Sequence, residues 1–269
     1  LHCSVHFQVN GQVKQLVMAA EMFLSDWGFP AILGSTFITS LISGMTGMAG
    51  GLILLALMVS WVQTVFIIPL HGAIQAVSGM SRTFLFFRYL RWKIVAHYSL
   101  GVLPGSFLGL YVFKLFPPDL FKLVLGIFIL SITWLPKLRP KHGGGTERYF
   151  IILGCISAML STFLGAAGGF IAPYFIRDDI SKHELIATKS TCQGIVHLVK
   201  IPIFGLVGAN IFVNWFHLLL LALASFVGIW VGKKFLNLIP DKVFFIAFKI
   251  LLTLIALRII IAQILDFFA

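Results

Sequence analysis

Two apolar stretches of the chain each carry a stripe of polar side chains, spaced so that they share one face of a helix. His71, Gln75 and Arg82 stand at positions i, i+4 and i+11, and this spacing returns to the same side of an α-helix. The second stripe stands at positions i, i+4, i+8 and i+11 and consists of Lys189, Gln193, His197 and Lys200. Cations and neutral hydrogen-bond donors predominate in both stripes, and this is the chemistry that binds an anion.

The stripes have no evident carboxylate partners. All nine acidic residues fall in expected loops or at the ends of apolar stretches: Glu21, Asp26, Asp119, Glu147, Asp178, Asp179, Glu184, Asp241 and Asp266. A charged side chain in the middle of a membrane costs at least about 2.5 to 3.5 kcal/mol on insertion scales, so it normally faces a protein interior or a cavity. We therefore expect an anionic ligand to supply the missing negative charge.

Each of these residues also has an interpretation that involves no ligand. Arg82 and Lys200 lie near the ends of their stretches, so their side chains are long enough to extend to the membrane surface. The two glutamines are equally well explained by hydrogen bonds between helices. The two histidines are either polar residues satisfied within a helix bundle or members of a proton relay, because histidine titrates near neutral pH.

The elements that must position these residues are membrane helices. Hydrophobic residues make up 59% of the 269 positions and charged residues only 11%, whereas about a quarter of an ordinary soluble domain is charged. No stretch alternates polar and apolar residues as a barrel strand does. Four stretches have roughly the 20 residues that cross about 30 Å of hydrocarbon, namely 94–113, 120–135, 212–232 and 244–265. We expect an all-α, polytopic, multi-pass protein in the lipid bilayer of the cell (inner) membrane.

The formal net charge of +11 does not indicate a nucleic-acid binder. The basic residues are scattered among apolar stretches, whereas a nucleic-acid binder clusters them on one soluble face. We interpret most of them as signals of membrane topology. The three cysteines are widely separated, so we expect neither a disulfide framework nor a metal site, and nothing indicates a cofactor.

A glycine motif occurs twice and indicates an internal repeat. SGMTGMAGGLI at 43–53 aligns with STFLGAAGGFI at 161–171, and the same offset of 118 relates both the two glutamines and the pair Arg82 and Lys200. Repeated halves of this kind are common in transporters. The predicted organisation is an N-terminal segment 1–27, a first repeat 28–138, a basic Gly-rich linker 139–148 and a second repeat 149–269.

The basic residues predict that the two halves are inverted. Four basic loops hold twelve of the twenty lysines and arginines, and the positive-inside rule places all four in the cytoplasm. The polar helix of one half must then run inward and that of the other half outward. Each half is expected to contain a re-entrant or broken helical hairpin at its Gly-rich motif plus about three spanning helices.

The hairpin prediction comes from the length available after the second motif. Only residues 170–176 separate this motif from a charged stretch, and seven helical residues cover about 10 Å. Non-helical backbone at membrane depth is tolerated where it faces protein or a water-filled cavity, and there its amides are able to bind an anion. The alternative is that the small residues allow close helix packing. The candidate backbone positions are Gly50, Gly51, Gly168 and Gly169.

These features resemble the sulfite exporter TauE/SafE family of membrane permeases. The resemblance covers roughly residues 30–265 and is carried by the two copies of G-x-x-G-G, by a glutamine 24 residues after the last glycine of each, and by ELIATKS at 184–190. The chain departs from the family at Ala49 and Ala167, where a run of three glycines is usual. It also has Pro69-Leu70-His71 in place of an Ala-Thr-Ser-like stretch.

The resemblance implies a secondary transporter, not an enzyme, that moves sulfite or an organosulfonate, commonly outward, by alternating access. The small anion would be held by the four glycines and by the side chains of both stripes. A homodimer is compatible with the sequence. The alternatives are an anion channel, or an importer of thiosulfate or of another small oxyanion or carboxylate. No motif indicates a catalytic nucleophile and base.

Overall fold

The computed structural model describes residues 28–46, 50–134, 147–177, 179–208, 211–235 and 241–268, and all regular structure in these ranges is helical. The α-helices are α1 (Gly28–Thr46), α2 (Gly50–Met58), α3 (Thr64–Leu85), α4 (Trp92–Leu115), α5 (Pro118–Trp134), α6 (Tyr149–Leu164), α7 (Gly168–Ile171), α8 (Lys182–Gly205), α9 (Trp215–Lys234) and α10 (Asp241–Phe268). The predicted all-α fold is confirmed. The predicted segment 1–27, most of the predicted linker and positions 47–49 of the first motif lie outside the described residues.

Three helices are long and apolar enough to cross a membrane, namely α1, α4 and α9, while residues 120–134 of α5 and the whole of α6 are apolar but shorter. Large apolar side chains cover the outward faces of α4 and α9, among them Leu100, Leu103, Phe107, Tyr111, Leu223, Phe226 and Trp230. A continuous apolar surface of this kind is expected where lipid solvates the protein. The described residues therefore form a helical membrane protein.

The helices α3 and α8 cross at the centre of the bundle and run antiparallel. A Cβ atom on Gly79 would lie 2.8 Å from the Cα of Gly194, so the two backbones nearly touch. On one side of this crossing the hydroxyls of Thr83 and Thr191 are 2.9 Å apart. On the other side Gly72 of α3 lies beside Lys200 of α8. The two polar stripes therefore belong to helices in direct contact.

Two further pairs flank the crossing, and in each pair the helices run parallel. The hydroxyls of Ser40 in α1 and Ser225 in α9 are 3.0 Å apart, and one turn further along a Cβ on Gly44 would lie 2.6 Å from the Ile229 carbonyl oxygen. The helices α4 and α6 pair in the same way. The remaining pair, α5 with α10, is antiparallel, because Gly126 lies against Ile260 whereas the Trp134 indole donates to the Thr253 hydroxyl.

The α4–α6 contact depends on glycines at every fourth position. Cβ atoms on Gly101 and Gly105 would lie 1.9 Å and 2.1 Å from the carbonyl oxygens of Ile151 and Cys155. These distances are far shorter than any normal contact, so only glycine permits the observed approach. Within lipid no hydrophobic effect drives two helices together, and close backbone packing of small residues provides much of the attraction.

The helix α8, which carries the second polar stripe, has a well-defined beginning. Ser181 and Glu184 form a capping box in which each side chain bonds the backbone N–H of the other residue, an arrangement that stabilises helix starts. The Arg91 Nε atom lies 2.8 Å from a Glu184 carboxylate oxygen. The backbone and side chain of Ser181, and then Arg91, hold the pKa of the Glu184 carboxyl below its usual value.

The glycine contact of α4 with α6 predicts a position-specific loss of stability. Gly105→Ala is expected to lower the thermal midpoint in detergent, because a methyl group must displace backbone and overpacking costs about 1 to 3 kcal/mol. Gly34→Ala is the matched control, since nothing lies within 4 Å of a Cβ atom at that position of α1. Fluorescence-detected thermal unfolding of both purified variants measures the difference. Equal midpoints would contradict the packing described here.

Candidate functional site

Both polar stripes are buried at the α3–α8 crossing. His71 and Lys200 are completely inaccessible, and Gln75, Arg82, Lys189, Gln193 and His197 are each less than a tenth exposed. The long cationic side chains of Arg82 and Lys200 therefore do not extend to a membrane surface. Groups of this kind inside a lipid-solvated protein mark ligand or ion pathways by default.

The cation of each half holds the end of the helix that precedes its own glycine motif. The Lys200 ammonium donates a hydrogen bond of 2.7 Å to the carbonyl of Gly165, directly after α6, and the Arg82 guanidinium donates to the Ser43 hydroxyl in the last turn of α1. A helix C-terminus exposes unpaired carbonyls and carries partial negative charge, which attracts cations. Among the described residues, the hydrogen-bond partners of these two cations are a backbone carbonyl and a hydroxyl, and neither is a carboxylate.

Gly165 makes the break in the second half. Its φ of +88° is rarely accessible to a residue with a side chain, and glycine adopts it without strain. The helix α6 stops there, and α7 spans only four residues before a short 3₁₀ segment. A Cβ on Gly165 would also lie 2.7 Å from a methyl group of Leu55 in α2. The two broken regions of the chain are thus in contact.

The four glycines predicted to bind the anion lie in different surroundings. A Cβ on Gly51 would lie 2.8 Å from the Gln75 Oε1 atom, and one on Gly168 would lie 3.4 Å from the Gln193 Oε1 atom. Each glutamine therefore faces the glycine motif of its own half. Gly50 is instead pressed against the Thr39 carbonyl, and Gly169 is exposed next to an apolar side chain of α5. Close packing, the alternative weighed from the sequence, accounts for Gly50.

The two glutamines differ in the hydrogen bonds that they already make. The Gln193 Nε2 atom donates to the Tyr98 hydroxyl and to the Ser157 hydroxyl, both at 3.1 Å. An amide nitrogen has only two N–H groups, so Gln193 has no donor left for a ligand in this conformation. The Gln75 amide makes no hydrogen bond to another described residue, which leaves both of its N–H groups available.

The histidines meet at the centre of the crossing. The rings of His71 and His197 have centroids 5.6 Å apart in an edge-to-face arrangement, and the His71 Nε2 atom lies 2.8 Å from the Gly51 carbonyl oxygen. The Nδ1 atom of each ring and the Nε atom of Arg82 are buried without a partner among the described residues. Buried polar atoms are nearly always paired with protein, water or a ligand. These three atoms are therefore candidate contacts for water or a ligand.

Lys189 lies one turn before Gln193 on the same face of α8, is buried, and interacts within the protein. No cluster of metal-ligating side chains occurs in the part of the chain that the structure describes.

Four positions that contact the predicted residues were missed by sequence reasoning, namely Ser43, Gly165, Tyr98 and Ser157. The first two carry a signal, because Ser43 opens the first repeated motif and Gly165 is the first glycine of the second. Ser157 stands four residues before Ser161, the first residue of the second motif, and so lies on the same helix face as that serine. No signal in the sequence identifies Tyr98, because it contacts Gln193 only through the packing of α4 against α8.

Because the break at Gly165 requires glycine, two alanine substitutions within the second motif should differ in their effect on stability. Gly165→Ala is expected to destabilise the protein by about 1 to 3 kcal/mol, because alanine is strained at a positive φ of this kind. Gly168→Ala is the matched control, since its Cβ would meet the nearest atom at 3.4 Å. Thermal unfolding in detergent compares the two. A Gly165→Ala variant as stable as the control would contradict the described break.

Comparison with known proteins identifies one family whose sequence model matches this chain. The family model described as sulfite exporter TauE/SafE matches residues 32–259, which include every helix described here except the first turn of α1 and the last turns of α10. Comparisons with curated proteins and with solved structures gave no significant match.

Proposed function

The chain belongs to the sulfite exporter TauE/SafE family, and on that premise we propose that it is a secondary transporter. It exports small sulfur-containing anions, sulfite or an organosulfonate, across the cell membrane by alternating access. One observation carries the proposal: the three cationic side chains of the stripes are buried at the α3–α8 crossing, together with polar atoms that have no partner among the described residues. An anion would satisfy both the charge and the unused hydrogen-bonding atoms.

An oxyanion suits this site because it needs several donors and little apolar contact. The free N–H groups of Gln75 and the Nε–H of Arg82 would donate to its oxygens, and Lys200 would add positive potential. The N-terminus of α2 at Gly50 and Gly51 lies next to Gln75 and would contribute the positive end of a helix dipole. His197 and Lys189 would complete the second side of the site, and Gln193 would support it through its hydrogen bonds to Tyr98 and Ser157.

The directions of the helices support an inverted repeat with the boundaries 28–138 and 149–269. Equivalent helices of inverted repeats run in opposite directions through the membrane. The offset of 118 makes α3 equivalent to α8, and these two helices are antiparallel. The pair α5 and α10, equivalent by order in the two halves, is antiparallel as well.

The moving units of the transport cycle would each combine helices of both halves. One unit, the first-motif bundle, comprises α1, α3 and α9, since α9 packs on α1 through Ser40 and Ser225 and reaches α3 through Lys233. The other, the second-motif bundle, comprises α4, α6 and α8, which meet at Gln193. Alternating access would come from rocking one bundle against the other, which opens the α3–α8 crossing to each side in turn.

Transport in proteoliposomes tests the function and the site. We expect uptake or efflux of labelled sulfite, thiosulfate or a sulfonate by the wild type. Gln75→Ala should raise the KM about 10- to 100-fold, because a hydrogen bond to a charged group contributes about 1.5 to 3 kcal/mol. Lys200→Ala should lower transport at every concentration. Gln193→Ala should affect thermal stability more than the KM, since its donors bond the protein.

Three results would contradict these expectations. Unchanged transport in all three variants would refute the site, and transport of a cation with none of any sulfur anion would refute the function. Electrical currents far above transporter turnover would favour an anion channel instead.

Two cross-links of similar geometry test the moving units. In a background with Cys3, Cys155 and Cys192 replaced by alanine, the pair Ser40→Cys and Ser225→Cys lies within the first-motif bundle. We expect its oxidation to leave transport intact. The pair Thr83→Cys and Thr191→Cys joins the two bundles, and its oxidation should abolish transport until a reductant is added. The reverse pattern would show that the bundles are assigned incorrectly.

A further inference from the structure

The His71–His197 pair offers a buried atom that is able to accept a proton. The Gly51 carbonyl can only accept a hydrogen bond, so the neighbouring Nε2 atom of His71 must carry hydrogen. In a neutral imidazole the other nitrogen then has a free lone pair. That nitrogen, Nδ1, is buried and has no hydrogen bond of normal geometry to a described residue, and the same holds for the Nδ1 atom of His197. The Gly165 carbonyl also interacts with the His71 ring.

The charged groups that face the pair are all cationic. Lys200 extends from α8 beside Gly72, the residue after His71, and Arg82 lies on α3 on the same helix face as His71. The helices α1 and α2 present Ser43 and the Gly51 carbonyl, and the end of α6 presents the Gly165 carbonyl. The sequences of α1, α2, α3, α4, α6 and α9 contain no acidic residue. Glu184 of α8 lies at the surface end of its helix.

A proton on this pair would therefore depend on the anion. A further positive charge beside Lys200 and Arg82 is repelled, and the repulsion is strong because little water is present to screen it. An anion in the site cancels the repulsion and attracts the imidazolium. Because coupling between two ligands is reciprocal, a bound proton must strengthen anion binding by the same factor as the anion strengthens proton binding.

We propose that the His71–His197 pair takes up one proton with each anion, so that the protein moves protons and anions in the same direction. The proposal rests on the transport function proposed above. The proton enters from water onto a free Nδ1 lone pair while the site is open to one side, and it returns to water with the anion on the other side. The two rings share the proton and titrate as one unit. Export then draws on the anion gradient and carries a proton outward.

A pH gradient across proteoliposomes tests this coupling. The vesicles hold equal labelled thiosulfate inside and outside, because thiosulfate binds no proton near neutral pH, and labelled sulfite is measured in parallel. Potassium and an ionophore fix the membrane potential at zero. With an acidic exterior, the wild type should accumulate the label about tenfold for each pH unit if one proton moves with each anion.

The variants His71→Gln and His197→Gln remove the titratable rings. Glutamine places its amide nitrogen close to the position of the His71 Nε2 atom, so the hydrogen bond to Gly51 is retained. For each variant the accumulation is compared with that variant's own exchange rate at equal pH, and both variants should lose the accumulation driven by pH. His97→Gln is the matched control, because His97 bonds the Lys93 carbonyl of its own surface turn, and it should accumulate label as the wild type does.

The outcomes separate this inference from the transport function. The proton coupling is overturned if the wild type exchanges label but does not accumulate it, or accumulates it only when the exterior is alkaline. Either result leaves the transport function standing. Accumulation retained in both histidine variants overturns the assignment to this pair. If a single variant does not fold, the other variant and the wild-type gradient response still decide. A wild type that exchanges no anion overturns the transport function as well.

Discussion

The hydrogen bond from the Lys200 ammonium to the Gly165 carbonyl joins the features on which the rest of the molecule depends. A helix that breaks inside a lipid-solvated protein leaves carbonyl groups that no water can satisfy, and each unpaired group is costly. A buried ammonium without a carboxylate is costly for the same reason. Each group satisfies the other, so the break and the charge are both tolerated. Gly165 also lies against Leu55 of α2, so the break in the second half contacts the helix that follows the first motif.

Equivalent positions of the two halves have diverged around this contact. Lys200 binds a backbone carbonyl, whereas Arg82 binds a hydroxyl and keeps a buried Nε atom unused. Gln193 donates both of its amide N–H groups to Tyr98 and Ser157, whereas the amide N–H groups of Gln75 bond no other described residue. In the position equivalent to Lys189 the first half has His71. Equivalent polar residues of the two halves therefore differ, since those of the first half keep hydrogen-bonding groups without a described partner whereas Gln193 is satisfied by protein.

Close packing of small residues holds together the helices around the polar side chains of the α3–α8 crossing. The close pairs α1–α9 and α4–α6 bring backbones together through glycine and serine, which lose little side-chain entropy on packing. Each pair joins helices from different halves of the chain, so the halves cannot separate as independent bodies. The crossing of α3 and α8 is also made at glycines, and the polar groups collect there. In the proposed transport cycle this crossing is the interface between the two moving bundles.

The sequence by itself determined the membrane class, the all-helical fold, the two glycine motifs and the helix faces that carry the polar residues. These follow from local properties, since hydropathy, helical period and glycine content act over a few turns of chain. A break at the second glycine motif was predicted from the short apolar stretch that follows it. Only the tertiary structure decided which polar atoms remain free, because this depends on partners far apart in sequence. Tyr98 reaches Gln193 across 95 positions, and His71 meets His197 across the α3–α8 crossing. The hydrogen bonds of Arg82 to the Ser43 hydroxyl and of Lys200 to the Gly165 carbonyl likewise became evident only in the tertiary structure.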